Sequence, residues 1–127
     1  MTQSTARLNL RTFAREWEAA WNSHELDRIL AHYHPDIVFR SSKAKIVVGE
    51  GVLRGISALR DYWSKALERQ PNLRFTVVDI FEGYGMVVIT YTNHAGILAA
   101  ETLRFGSDGL VAEASACHRP VEGRDTR

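Results

Sequence analysis

The sequence predicts a single α+β domain, built as a cone-shaped barrel. A strongly curved mixed/antiparallel sheet is expected to wrap around three N-terminal helices. Three observations carry this. Apolar residues recur at helical spacing in three early segments, and the last of these ends near Glu68. Strand-like segments joined by glycine-containing turns then run from Arg74 to Arg119. Helices and strands do not alternate, which separates this pattern from a parallel βαβ fold. A chain of 127 residues is long enough for one domain with a sizeable core, taken here as about residues 8–119, followed by a solvated tail over 120–127.

Composition narrows the functional classes. The formal net charge is +1 and no segment concentrates Lys and Arg, so a nucleic-acid partner is not expected. Residues 1–9 are polar and lack an apolar signal core, and there is no run of 18 apolar residues. No membrane span is therefore expected. The one cysteine, Cys117, cannot form an internal disulfide, which agrees with a reducing, cytoplasmic setting.

The first helix is predicted from about residue 5 to 22, because Leu10, Phe13, Trp17, Ala20 and Trp21 share one side. Asn22-Ser23-His24 breaks it, and Ser23 can cap a short second helix over Glu25–Tyr33 that Pro35 stops. Ile37–Ser41 reads as a strand, Ser42–Ala44 as a loop and Lys45–Val48 as a short strand. Gly49, Gly51 and Gly55 mark an irregular connection. Ser57 is placed as the cap of a third helix reaching Glu68, with Leu59, Tyr62, Trp63, Ala66 and Leu67 as its buried stripe. Strands follow at Arg74–Phe81, Met86–Asn93, Ile97–Phe105 and Leu110–Arg119.

The last two strands carry the functional lead. A turn centred on Ser107-Asp108 would place Glu101 opposite Ala114, Ala99 opposite Ala116 and Ile97 opposite His118. The more apolar face then holds Ala99, Ala112, Ala114 and Ala116, where a filled core would use larger residues. Small side chains leave a recess, and Glu101 and His118 sit among them. At ~3.3 Å per residue, this register separates the carboxyl and the imidazole by about 13 Å, as floor and rim of one cavity and not as a dyad. The outer face would carry Leu98, Ala100, Val111, Ser115 and Cys117, apolar enough for a second copy of the chain.

Several stretches together resemble one known group. They are Ala20-Trp21-Asn22-Ser23-His24-Glu25-Leu26-Asp27, His34-Pro35-Asp36-Ile37-Val38-Phe39, Leu53–Trp63, Pro71-Asn72-Leu73-Arg74-Phe75 and Glu101–Gly109. They are similar to the nuclear-transport-factor-2-like (cystatin-like) superfamily, in its SnoaL-like branch of polyketide cyclases, ketosteroid isomerases and limonene epoxide hydrolases. The resemblance covers about residues 8–119 and implies the cone fold, a homodimer and a small-molecule cavity. It is specific for fold more than for activity. Ketosteroid isomerases use a tyrosine, an aspartate base and a protonated aspartic acid. The matching positions here are Trp17, Ser41 and Glu101, of which only Glu101 keeps its chemistry.

The resulting expectation is a cofactor-free protein that binds an apolar, carbonyl-bearing small molecule and moves a proton in isomerisation, cyclisation or dehydration. Glu101 would be the acid and His118 the base. Trp17, Tyr33, Phe39, Ser41, Trp63, Ala99, Ala114 and Ala116 would form the pocket. A binding domain without chemistry is the competing expectation. No metal is expected, since His32 and His34 stand two apart with no accompanying ligand set. One choice stays open. A two-residue turn after Asn93 turns Val88, Thr90 and Thr92 inward, and a three-residue turn does the same for Ile89, Tyr91 and Asn93.

Overall fold

A computed structural model describes residues 9–120. The element order is α1 (Leu10–Ser23), α2 (Leu26–Leu30), β1 (Tyr33–Ser41), α3 (Ser42–Val48), β2 (Val52–Arg54), α4 (Ile56–Arg69), β3 (Thr76–Gly83), β4 (Met86–Thr92), β5 (Leu98–Phe105) and β6 (Val111–His118). The strands form one open six-stranded sheet in the order β2-β1-β6-β5-β4-β3. The β1–β6 pair is parallel and the others are antiparallel. The α+β cone expected from the sequence is therefore the fold observed. The expected tail beyond Pro120, and the helix expected over residues 5–8, lie outside the described residues.

Helix α1 begins where Asn9 Oδ1 accepts the Thr12 N–H at 3.1 Å, satisfying one of the first turn's free donors. Its apolar side, Phe13, Trp17, Ala20 and Trp21, is buried against the sheet. The segment that ends α1 also anchors it. Asn22 donates from Nδ2 to the Phe75 carbonyl (2.9 Å) and accepts the Phe75 N–H at Oδ1 (2.7 Å), while a His24 ring nitrogen lies 2.8 Å from the Leu73 carbonyl oxygen. These bonds hold the chain leading into β3 across the end of α1.

Three local expectations are corrected. Tyr33 is not the end of a helix but the first residue of β1, and Pro35 lies within that strand, where its pairing with β6 shifts register. Residues 42–48 are not a loop and strand but helix α3. Ser41 Oγ accepts the Ala44 N–H (3.2 Å), and Gly49 ends the helix at φ +83° with its N–H on the Lys45 carbonyl. The apolar run Ile46-Val47-Val48 read as strand because β-branched residues favour sheets, and the caps at both ends overrode that preference. The short strand is Val52–Arg54 instead. Helix α4 is capped by Gly55 and not by Ser57, which lies in its first turn.

The β5–β6 register also differs from the expected one, by two residues. Glu101 pairs with Ala116, Ala99 with His118 and Leu103 with Ala114. Two devices add one residue each. The loop holds three residues, with the Gly106 N–H on the Leu110 carbonyl (2.8 Å) and Gly109 at φ +82°. Then Ala112 is an extra residue, because Arg104 pairs with Glu113 but Phe105 with Val111. The first step alone would have turned every β6 side chain over, and the bulge turns them back. Val111 alone among the supposed outer-face residues is completely buried (0% exposed).

Candidate functional site

A cavity opens between α4, the start of α3 and the inner face of β1, β6, β5 and β4. Its apolar walls include Phe39, Trp63, Phe75, Ala99 and Ala116. It is narrow, with about 70 Å³ open to the centre of a water-sized sphere. The space exists because the small residues Ala99 and Ala116 stand on the inner face of β5 and β6. Aromatic rings close it from the helix side. Trp63 packs edge-on against Phe39 with centroids 5.5 Å apart, and Trp21 packs against Trp63 at 4.8 Å.

Glu101 lies in this apolar wall, 4% exposed, on the pleat of β5. Burial, partly offset by the Tyr91 hydrogen bond, pushes its carboxyl up to about 8. The acid is therefore mostly neutral at pH 7. The Tyr91 hydroxyl donates to Glu101 Oε1 at 3.0 Å, so the proton of the neutral acid belongs on Oε2. The phenols of Tyr33, Tyr62 and Tyr91 are all raised, by burial first, so each stays a donor. Tyr91→Phe removes the bond that favours the ionised carboxylate. It is expected to move the Glu101 titration further alkaline, as read from the ¹³C shift of the labelled carboxyl against pH, and an unmoved or acid-shifted midpoint contradicts it.

The inward set on β4 resolves the choice that the sequence left open. Residues 94–96 form a three-residue turn, with the Asn93 N–H on the Ile97 carbonyl and Gly96 at φ +80°. Val87, Ile89 and Tyr91 are buried, and Asn93 reaches the cavity. Asn93 Oδ1 itself accepts the N–H groups of Ala95 (2.8 Å) and Ile97 (3.0 Å), an Asx turn that sets this geometry.

Of the residues singled out from sequence, Glu101, His118, Phe39, Ser41, Trp63, Ala99 and Ala116 line the cavity. Trp17, Tyr33 and Ala114 do not. They are buried behind it, Trp17 between Phe75 (5.7 Å, stacked) and Tyr91 (5.1 Å). The Trp17 indole N–H lies beside the Tyr33 hydroxyl, but the two miss hydrogen-bond geometry and neither has another protein partner among the described residues. Ser41 Oγ is engaged in capping α3. The corrected register brings His118 two residues along β6 from the residue that faces Glu101, a diagonal relation of about 7–8 Å between backbones. That is much closer than the separation the simple turn predicts.

The sequence reading missed Lys43, Tyr62 and Gln70 on the wall. Lys43 was hidden by the wrong assignment of residues 42–48. Tyr62 carried the helical spacing of a core residue, which it also is.

The model of the SnoaL-like domain matches residues 14–124. The chain belongs to the SnoaL-like family. A SnoaL-like protein of unknown function from Burkholderia thailandensis E264 is 37% identical, over 94% of this chain and 98% of that one, with a TM-score of 0.81. Two more distant structures share the SnoaL-like fold. An NTF2-like protein from Cytophaga hutchinsonii is 16% identical, with 94% and 96% of the chains covered and a TM-score of 0.66. TerC, co-crystallised with polyporic acid, is 14% identical, with 86% and 90% covered and a TM-score of 0.71. No curated protein matches the chain. Among the described residues no helix is long and apolar enough to cross a membrane, and no group of three or more His, Cys, Asp or Glu could hold a metal ion.

Proposed function

We propose that this SnoaL-like domain binds an apolar, carbonyl-bearing small molecule in its cavity and transfers a proton at the carbon next to the carbonyl. Isomerisation, aldol-type cyclisation and dehydration all share that step. The reading is carried by one observation, the Glu101 carboxyl buried in the apolar wall of an open cavity with Tyr91 on one of its oxygens. Glu101 Oε2 donates its hydrogen bond to the substrate carbonyl oxygen. As the neighbouring C–H proton leaves, negative charge gathers on that oxygen. A donor already in place in a low-dielectric site stabilises it more than water does. His118, on the adjacent strand, receives the proton at a ring nitrogen and, in an isomerisation, returns it to the product carbon. Atoms balance, since one C–H proton is lost and one regained.

The test uses 2-acetonaphthone, a flat ketone with exchangeable protons beside its carbonyl. Its deuterium uptake in D₂O, followed by NMR, is expected to exceed the buffer rate with the native protein. Glu101→Ala should lower that excess by about 10²–10³-fold. Glu101→Gln should retain part of it, because the amide still donates. Binding of the ketone with no exchange above buffer defeats the proton-transfer reading. That result favours a second one, a binding domain without chemistry. Two features support this alternative, since Trp17 cannot serve as an acid and Ser41 is committed to capping α3.

A further inference from the structure

The cavity offers donors at more points than Glu101. Lys43, in the first turn of α3, lines it and is half-buried. Among the described residues, Arg28, Arg60, Lys65 and Arg104 are ion-paired with acidic side chains, and Lys43 has no such partner. Asn93 also lines the cavity. Its side-chain oxygen is consumed by the Ala95 and Ile97 N–H groups, so only its N–H₂ is left to offer. Lys43 and Asn93 thus both bring N–H donors to this wall. The one acidic side chain on the wall is Glu101.

We propose that Lys43, with the Asn93 amide, makes this cavity select ligands that carry an anionic oxygen, such as a carboxylate, besides their apolar body. This rests on the same cavity that is read above as a carbonyl site, and it adds the charge class of the ligand. Burial works against the Lys43 ammonium, holding its pKa below the usual lysine value, and a bound anion would reverse that cost. Neutral Glu101 does not oppose an anion. The position of Lys43 is held by its neighbours. Ser41 caps the helix through the Ala44 N–H, and Ala44 is completely buried. An ammonium facing a carboxylate in a partly desolvated site makes a stronger hydrogen bond than a neutral pair does.

The experiment compares 2-naphthoate with 2-acetonaphthone, which have the same ring and differ in charge. Dissociation constants are measured by equilibrium dialysis at neutral pH and low salt. The native protein is expected to bind the carboxylate about tenfold tighter than the ketone. Lys43→Met should abolish that preference while leaving ketone affinity within about twofold, and Lys43→Arg should keep it. Retained ketone binding shows that Lys43→Met has folded. Added salt should weaken the carboxylate and not the ketone. Binding of the carboxylate alone also supports the proposal. Equal or weaker carboxylate binding by the native protein, or an unchanged preference in Lys43→Met, overturns it while ketone binding leaves the carbonyl reading standing. If neither compound binds, both readings fall together.

Discussion

At about pH 9, Glu101→Gln is expected to be more stable than the native chain, whereas at about pH 4 the two should unfold alike. The folded Glu101 carboxyl has its pKa raised from 4.5 to about 8 by burial. A raised carboxyl pKa means that, between those values, the folded state keeps a proton that the unfolded state releases. Stability is therefore fully present below the unfolded pKa and declines as pH rises through the folded one. That difference corresponds to ~5 kcal/mol. Gln keeps the acceptor for the Tyr91 hydroxyl and has no proton to lose. Urea unfolding of both proteins across that pH range checks the sign. A native chain that gains stability relative to Glu101→Gln on going alkaline would mean that the carboxylate is solvated or paired in the fold. It would also remove the neutral acid on which the proposed chemistry depends.

Trp17→Ala is the other large effect. Trp17 is 1% exposed and stands between Phe75 and Tyr91, so it joins α1 to β4 and to the chain entering β3. Emptying that place should cost about 3–5 kcal/mol, a large part of what a domain of this size has. Its N–H is unpartnered, so Trp17→Phe should cost much less, since it removes a buried donor along with part of the ring. A fall of more than about 10 °C in melting temperature for Ala, against a small change for Phe, is the expected pattern. Equal losses would show that the indole N–H is satisfied, for instance by a buried water. Because Trp17 lies behind the cavity and does not line it, both variants act on the site through Tyr91, whose hydroxyl orients Glu101.

The α+β cone, both long helices and the inward position of Glu101 were legible in the residues, because each rests on a pattern repeated over many positions. The periodicity of Leu10, Phe13, Trp17 and Trp21 survives any error at a single residue. The alternation along β5 does the same for Ala99, Glu101 and Leu103, all buried as expected. What failed depended on single residues. Helix α3 was lost because Ile46-Val47-Val48 favours a strand, and only the cap at Ser41 and the left-handed Gly49 decide otherwise.

By itself, then, the sequence determined which faces are apolar, which acid lies among small residues and which family the chain resembles. Tertiary structure alone decided how the strands meet. A three-residue loop and a bulge at Ala112 set the register that brings His118 near Glu101, and an Asx turn at Asn93 sends Tyr91 inward to the same carboxyl. The reason is physical. Side chains alternate with period two, so a single inserted residue exchanges inside for outside without changing the pattern of either strand. The pattern fixes each strand's faces, but only the turn that joins two strands fixes which residues stand together across them.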